Sequence, residues 1–160
     1  MTRTRHGSAV VELPNDLELL ITRAFDAPIG LVFDVLTKAE HVRRWFAPHG
    51  CVMTECAIDL RVGGTYHQVF VTADGIECSF RGTYLEVEPP NRTVETWLFE
   101  GRPHAESVET VELREADGVT TMTTRLTFRS KADRDEDIEN GTDGVQQSYD
   151  NLEDVLRSLT

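Results

Sequence analysis

Positive charge is the first thing this chain is short of. Lysine and arginine number 16 against 28 aspartates and glutamates, a formal net charge of -12 with a pI near 4.8. Phosphate backbones are held by clustered cations, and anionic membrane surfaces recruit basic segments, so the balance argues against both as the principal role. Cysteine is also scarce. Cys51, Cys56 and Cys78 are an odd number, which points to free thiols in a reducing cytoplasm and not to a disulfide framework. No apolar run reaches the length of a membrane span, and the opening MTRTRHGSAVVELPND has arginines with no apolar stretch of an export signal behind them. The sequence also lacks G-x-S-x-G, a P-loop, G-x-G-x-x-G and H-E-x-x-H. With them go the most readily legible nucleophilic, phosphate-cradling and metalloprotease chemistries.

What is present is enough for one globular unit: 160 residues, 39% hydrophobic and 28% charged. The strongest pattern is at the end. In Asp143 to Thr160, Val145, Tyr149, Leu152, Leu156 and Leu159 recur at spacings of three and four, an amphipathic helix whose stripe needs cover. The cover comes earlier. Leu17 to Phe25 alternates as a strand, and Pro28 then opens a short helix to about Thr37, with a second from Lys38 to Trp45 or Phe46. Six strand-like segments follow between residues 51 and 129, parted by Gly63-Gly64, Asp74-Gly75, Pro89-Pro90-Asn91, Gly101-Arg102-Pro103 and Asp117-Gly118. Turns this short join antiparallel neighbours. Ser130 is placed to cap a charged helical segment over 131–140, and Gly141 is expected to break it before the main helix. Residues 1–16 are expected to be a flexible tail and 17–160 a single domain.

The order β, αα, six β, α, with its punctuating residues, resembles the START-like helix-grip superfamily (SRPBCC, birch-allergen-like). Within it the chain is most similar to the branch named for the activator of heat-shock protein 90 ATPase. The matching stretches are Phe25-Asp26-Ala27-Pro28, Arg44-Trp45-Phe46-Ala47-Pro48, Val62-Gly63-Gly64-Thr65-Tyr66, Gly82-Thr83-Tyr84-Leu85-Glu86, Thr96-Trp97 and the terminal Gly144…Tyr149…Leu152…Leu156. The resemblance implies an α+β fold: a curved antiparallel sheet of about six to seven strands wrapped around a long C-terminal helix, with two short helices after the first strand. It also implies an apolar cavity between sheet and helix, suited to a lipid, a polyketide or an aromatic metabolite. A co-chaperone-like role with a chaperone partner and a stress-response setting is a second implication. The sixteen residues ahead of the first strand are expected to be too few for that co-chaperone's separate N-terminal domain. A cyclase- or aromatase-like enzyme is a third.

Alternation places one side-chain set per strand toward the helix. The residues expected to line a ligand pocket are Trp45, Phe46, Tyr66, Gln68, Phe70, Phe80, Tyr84, Trp97, Phe99, Met122, Leu126, Phe128, Tyr149, Leu152 and Leu156. No catalytic set emerges. His67, Glu77, Arg81, Glu95 and Arg125 are expected to form cross-strand ion pairs on a solvated face. Glu106, Glu109, Glu112, Glu115 and Asp117, with the acids of 133–139, read as surface charge. His49, Cys51 and Cys56 lack the second ligand pair of a zinc site, so neither a metal nor another cofactor is expected. The expected partner is a hydrophobic small molecule, with no nucleic acid, no membrane insertion, and a monomer or weak homodimer.

Overall fold

Proline, glycine and alternation set the chain's course. The computed structural model describes residues 2–6 and 9–160. Strands β1 (Thr2–His6) and β2 (Ala9–Leu13) precede β3 (Glu18–Phe25), whose residues alternate between the core and the opposite face. Pro28, at φ -69°, sits at the N-cap of α1 (Ile29–Thr37), where a missing N–H costs nothing. Lys38, in extended conformation, ends α1 and starts α2 (Ala39–Trp45). Then come β4 (Val52–Ile58), β5 (Thr65–Val71), β6 (Glu77–Glu88), β7 (Arg92–Phe99), β8 (Ser107–Ala116) and β9 (Val119–Thr127). The β8–β9 turn holds Asp117 at φ 54° and Gly118 at φ 79° between the paired Ala116 and Val119. Both central residues are left-handed, as a two-residue hairpin that follows the strand twist requires.

The strands form one antiparallel sheet in the order β1-β2-β3-β9-β8-β7-β6-β5-β4. The join of β3 to β9, from Glu18↔Thr127 to Phe25↔Thr120, puts the early strand beside the last one. The seven strands anticipated from the sequence are β3 to β9. β1 and β2 are additional, and they correct the expectation of a flexible tail over residues 1–16. Ala9, Val10 and Val11 are buried, and β2 covers the edge that β3 would otherwise expose. The part of that expectation falling on residues 1, 7 and 8 lies outside the described residues.

The closing helix α3 runs unbroken from Lys131 to Ser158, 28 residues or about 42 Å. The Ser130 side chain accepts from the Asp133 N–H, the cap that the sequence indicated. Gly141 does not break the helix. A mid-helix glycine costs only about 0.5–1 kcal/mol relative to alanine, and the capped first turns and the packed last turns hold both ends. Leu152, Val155 and Leu156 are buried in a core with Phe25, Val32, Val35, Val42, Met122 and Phe128. Polar side chains fasten the same half of the helix. Arg23, with its side chain 1% exposed, pairs with Asp150 at 2.8 Å and Glu153 at 3.3 Å. Asn151 donates to the Ala47 carbonyl at 2.9 Å, and Ser148 donates to that of Phe46 at 2.7 Å. Among the described residues no helix is long and apolar enough to cross a membrane.

A continuous helix predicts that Gly141→Ala stabilises the protein by about 0.5–1 kcal/mol in urea unfolding. A clear loss of stability would mean that the helix is interrupted there.

Candidate functional site

Strand alternation brings Tyr66, Gln68 and Phe70 of β5, Phe80 and Tyr84 of β6, Trp97 and Phe99 of β7, and Met122, Thr124 and Leu126 of β9 to one concave face. They do not meet the helix everywhere. Over its first half α3 stands off the sheet, and a cavity of about 350 Å³ lies between them. Asn140, Gly141, Gly144, Val145 and Tyr149 form the helical wall, and Trp45, Phe46 and Pro48 close one end. A Cβ on Gly141 would meet no atom within 4 Å, so the residue expected to break the helix leaves open space along it instead.

Aromatic rings make up much of the lining. Phe80 is central, with ring centroids 5.1 Å from Phe99, 5.3 Å from Phe46, 5.4 Å from Trp97 and 5.5 Å from Phe70. Tyr66 and Tyr84 lie 5.5 Å apart. Gly82 makes room for them: a Cβ there would come within 1.8 Å of the Thr96 carbonyl and 2.6 Å of the Tyr66 ring. The Tyr66 hydroxyl consequently reaches the Thr96 carbonyl at 2.6 Å, and Tyr149 shares a hydrogen bond of 3.2 Å with Thr124. Burial pushes the phenols of Tyr66, Tyr84 and Tyr149 upward, so all three stay protonated.

Of the fifteen residues expected at a pocket, twelve line this cavity: Trp45, Phe46, Tyr66, Gln68, Phe70, Phe80, Tyr84, Trp97, Phe99, Met122, Leu126 and Tyr149. Phe128, Leu152 and Leu156 do not. They belong to the solid core, because the last turns of α3 pack directly on the sheet. Solvated ion pairs form around Arg81 and Arg125, which pair with Glu100 and Glu18 at 3.6 and 3.0 Å, and the His67 ring lies 3.1 Å from the Glu55 carboxylate. Glu95 departs from that pattern, being only 6% exposed and facing the cavity. Glu109, expected at the surface, faces it too, and the two are directly opposed on β7 and β8. A sequence signal for both existed. Glu95 is two residues from Trp97, and Glu109 is two and four residues from Val111 and Leu113, which share its face.

Electrostatics at this pair are unusual. Burial and the neighbouring Glu109 carboxyl, which is also hydrogen-bonded to it, hold Glu95 well above the usual carboxylate range. Burial pushes Glu109 up as well, with its hydrogen bond to Glu95 pulling the other way. Oε2 of Glu95 is buried without a hydrogen-bond partner. The cationic side chains lining the cavity are engaged elsewhere. Arg102 pairs with Asp137 at 3.0 Å and Glu136 at 3.5 Å, and Arg92 pairs with Glu86 at 2.7 Å and Glu88 at 3.7 Å.

The comparisons agree with this architecture. The sequence profile of the family described as Activator of Hsp90 ATPase homolog 1-like protein matches residues 26–157. No curated protein matches the chain. Among solved structures, a Rhodobacter sphaeroides protein superposes with a TM-score of 0.85 at 22% identity, covering 94% of this chain and 98% of its own. A Nitrosomonas europaea protein gives 0.82 at 24%, covering 93% and 99%. A Chromobacterium violaceum protein gives 0.76 at 25%, covering 90% and 98%.

A carboxyl raised by folding destabilises the protein only where the unfolded chain would ionise. The penalty is absent below the ordinary carboxylate range, grows as pH rises through it, and levels off above the raised value. Glu95→Gln is therefore expected to melt higher than the parent near pH 8, by roughly 2–4 °C per kcal/mol of relieved repulsion, and the gap closes only below about pH 4, where the unfolded carboxyl is protonated too. A gap that does not change with pH in differential scanning fluorimetry would contradict the buried pair.

Proposed function

The chain belongs to the family of activator of Hsp90 ATPase homolog 1-like proteins, and on that premise we propose that it binds a small hydrophobic molecule between the sheet and α3. One observation carries the reading: the cavity of about 350 Å³ under the first half of α3, walled by Phe46, Phe70, Phe80, Trp97 and Phe99. Protein interiors close voids larger than a water molecule, since lining atoms without neighbours forfeit dispersion energy. A partly open cleft of this size leaves ring faces uncovered beside a well-packed core, and a bound ligand would supply the contacts they lack. Its volume lies at the low end of ligand pockets, about 300–1,000 Å³, which favours one compact molecule such as an aromatic metabolite or a small polyketide over a two-chain lipid. Hydrophobic ligands are common in this fold, which adds support.

The co-chaperone-like reading gains no comparable observation. The exposed large apolar side chains Leu17, Val52, Val62, Ile76, Leu85, Val108, Val119 and Leu159 are spread over many elements and do not mark one docking face.

N-phenyl-1-naphthylamine, an uncharged dye that brightens in apolar surroundings, tests the proposal. Saturable binding of one dye per chain is expected, with the emission of Trp45 and Trp97, both in the lining, changing in step. Val111→Trp, which fills the cavity from β8, is expected to weaken binding at least about tenfold, the equivalent of about 1.4 kcal/mol. Absence of saturable binding, or binding unaltered in Val111→Trp, would refute it.

A further inference from the structure

Apolar walls do not account for Glu95 and Glu109. Two carboxyls are opposed on adjacent strands inside a cavity walled largely by rings and aliphatic side chains, and as carboxylates they repel one another. An apolar ligand alone would leave them so. Of the other charged groups lining the cavity, Asp137 is anionic and matched by Arg102, while Arg92 is engaged by Glu86 and Glu88. The Glu95–Glu109 pair thus has no cation of the protein's own among the described residues. Glu95 is 6% exposed, and its Oε2 is buried with no hydrogen-bond partner.

The neighbours of the pair have a chemistry of their own. Tyr84 is the cross-strand partner of Glu95, and Tyr66 stacks obliquely against Tyr84 at 5.5 Å. Trp97 follows Glu95 on the same face of β7. Ring faces carry negative electrostatic potential, and rings combined with carboxylates are what an organic ammonium group prefers once it leaves water. Neither element alone would decide the matter, because aromatic walls suit any hydrophobe and acids occur on every surface.

We infer that the cavity's ligand is a hydrophobic amine, bound with its ammonium group between Glu95 and Glu109 and its apolar body against the rings around Phe80. This rests on the reading of the cavity as a hydrophobic binding site and adds the ligand's charge to it. The amine's N–H groups would donate to both carboxylates, including the unmatched Oε2, and its charge would remove their mutual repulsion.

Three probes with one bicyclic body separate head-group chemistry from hydrophobicity: 1-naphthylmethylamine, 1-naphthalenemethanol and 1-naphthoate. Each is titrated against protein carrying N-phenyl-1-naphthylamine. The amine is expected to displace the dye at a concentration about tenfold or more below that of the alcohol, with the carboxylate weakest. In Glu95→Gln/Glu109→Gln the amine's advantage is expected to shrink to about two- to threefold or less. Glu112→Gln, on the outward face of β8, is expected to keep it. The double variant loses repulsion on substitution, so its melting curve should show a folded protein. Equal displacement by amine and alcohol, failure of the amine to displace the dye, or an advantage that survives in the double variant would each overturn the inference while leaving hydrophobic binding intact. If the dye itself does not bind the parent, the cavity reading fails first.

Discussion

The seating of the last turns of α3 on the sheet is the interaction on which the rest of this molecule depends. Leu152, Val155 and Leu156 pack into the main core, and Arg23 reaches up from β3 to Asp150 and Glu153. Ser148 and Asn151 tie the helix to the chain segment after α2. These contacts fix the helix at one end. Its other half extends over the sheet, and Asn140, Gly141 and Gly144 there line the cavity. The cavity is what remains between the middle of this helix and the sheet curving beneath it.

That arrangement divides labour along a single element. Stability resides in the apolar stripe from Tyr149 onward, and the cavity wall in the residues before it, with Tyr149 serving both. The free half is not loose. Arg102 holds Asp137 and Glu136, and Arg134 donates to the Asn15 carbonyl, tying α3 to the loop between β2 and β3. Inside, aromatic bulk on β5, β6 and β7 keeps the sheet from collapsing onto the helix, and Gly82 admits the Tyr66 side chain to that wall. The buried Glu95–Glu109 pair is costly in this setting. It opposes folding wherever the unfolded chain would ionise.

Most of the architecture could be read beforehand because its signals are local. Pro28, Asp117-Gly118 and the three- and four-residue spacing from Val145 to Leu156 each dictate their own neighbourhood. The misreadings arose where local cost was taken as decisive. Gly141 lowers helix propensity, yet a capped start and a packed end outweigh one glycine. Ala9 to Val11 make a short apolar run among polar residues, and only the free edge of β3 gives it something to cover. Phe128, Leu152 and Leu156 carry the same periodic signal as the cavity residues, and spacing alone does not say where a helix lifts off a sheet. Glu95 and Glu109 are the most instructive. Trp97, Val111 and Leu113 set the phase of β7 and β8, and that phase turns both glutamates inward. Cross-strand ion pairing for Glu95 and a run of surface acids for Glu109 argued for the solvated face, and the geometry prevailed.

The central claim is that a hydrophobic ligand occupies the space beneath the first half of α3, and its location is directly observable. Intermolecular nuclear Overhauser contacts should be measured between bound 1-naphthylmethylamine and protein with labelled aromatic and methyl groups. The predicted result is contacts from the naphthyl protons to the rings of Phe80, Trp97 and Tyr149, with the methylene beside the amine close to Tyr84. Contacts confined to exposed side chains such as Val62, Ile76 or Leu85 would contradict it.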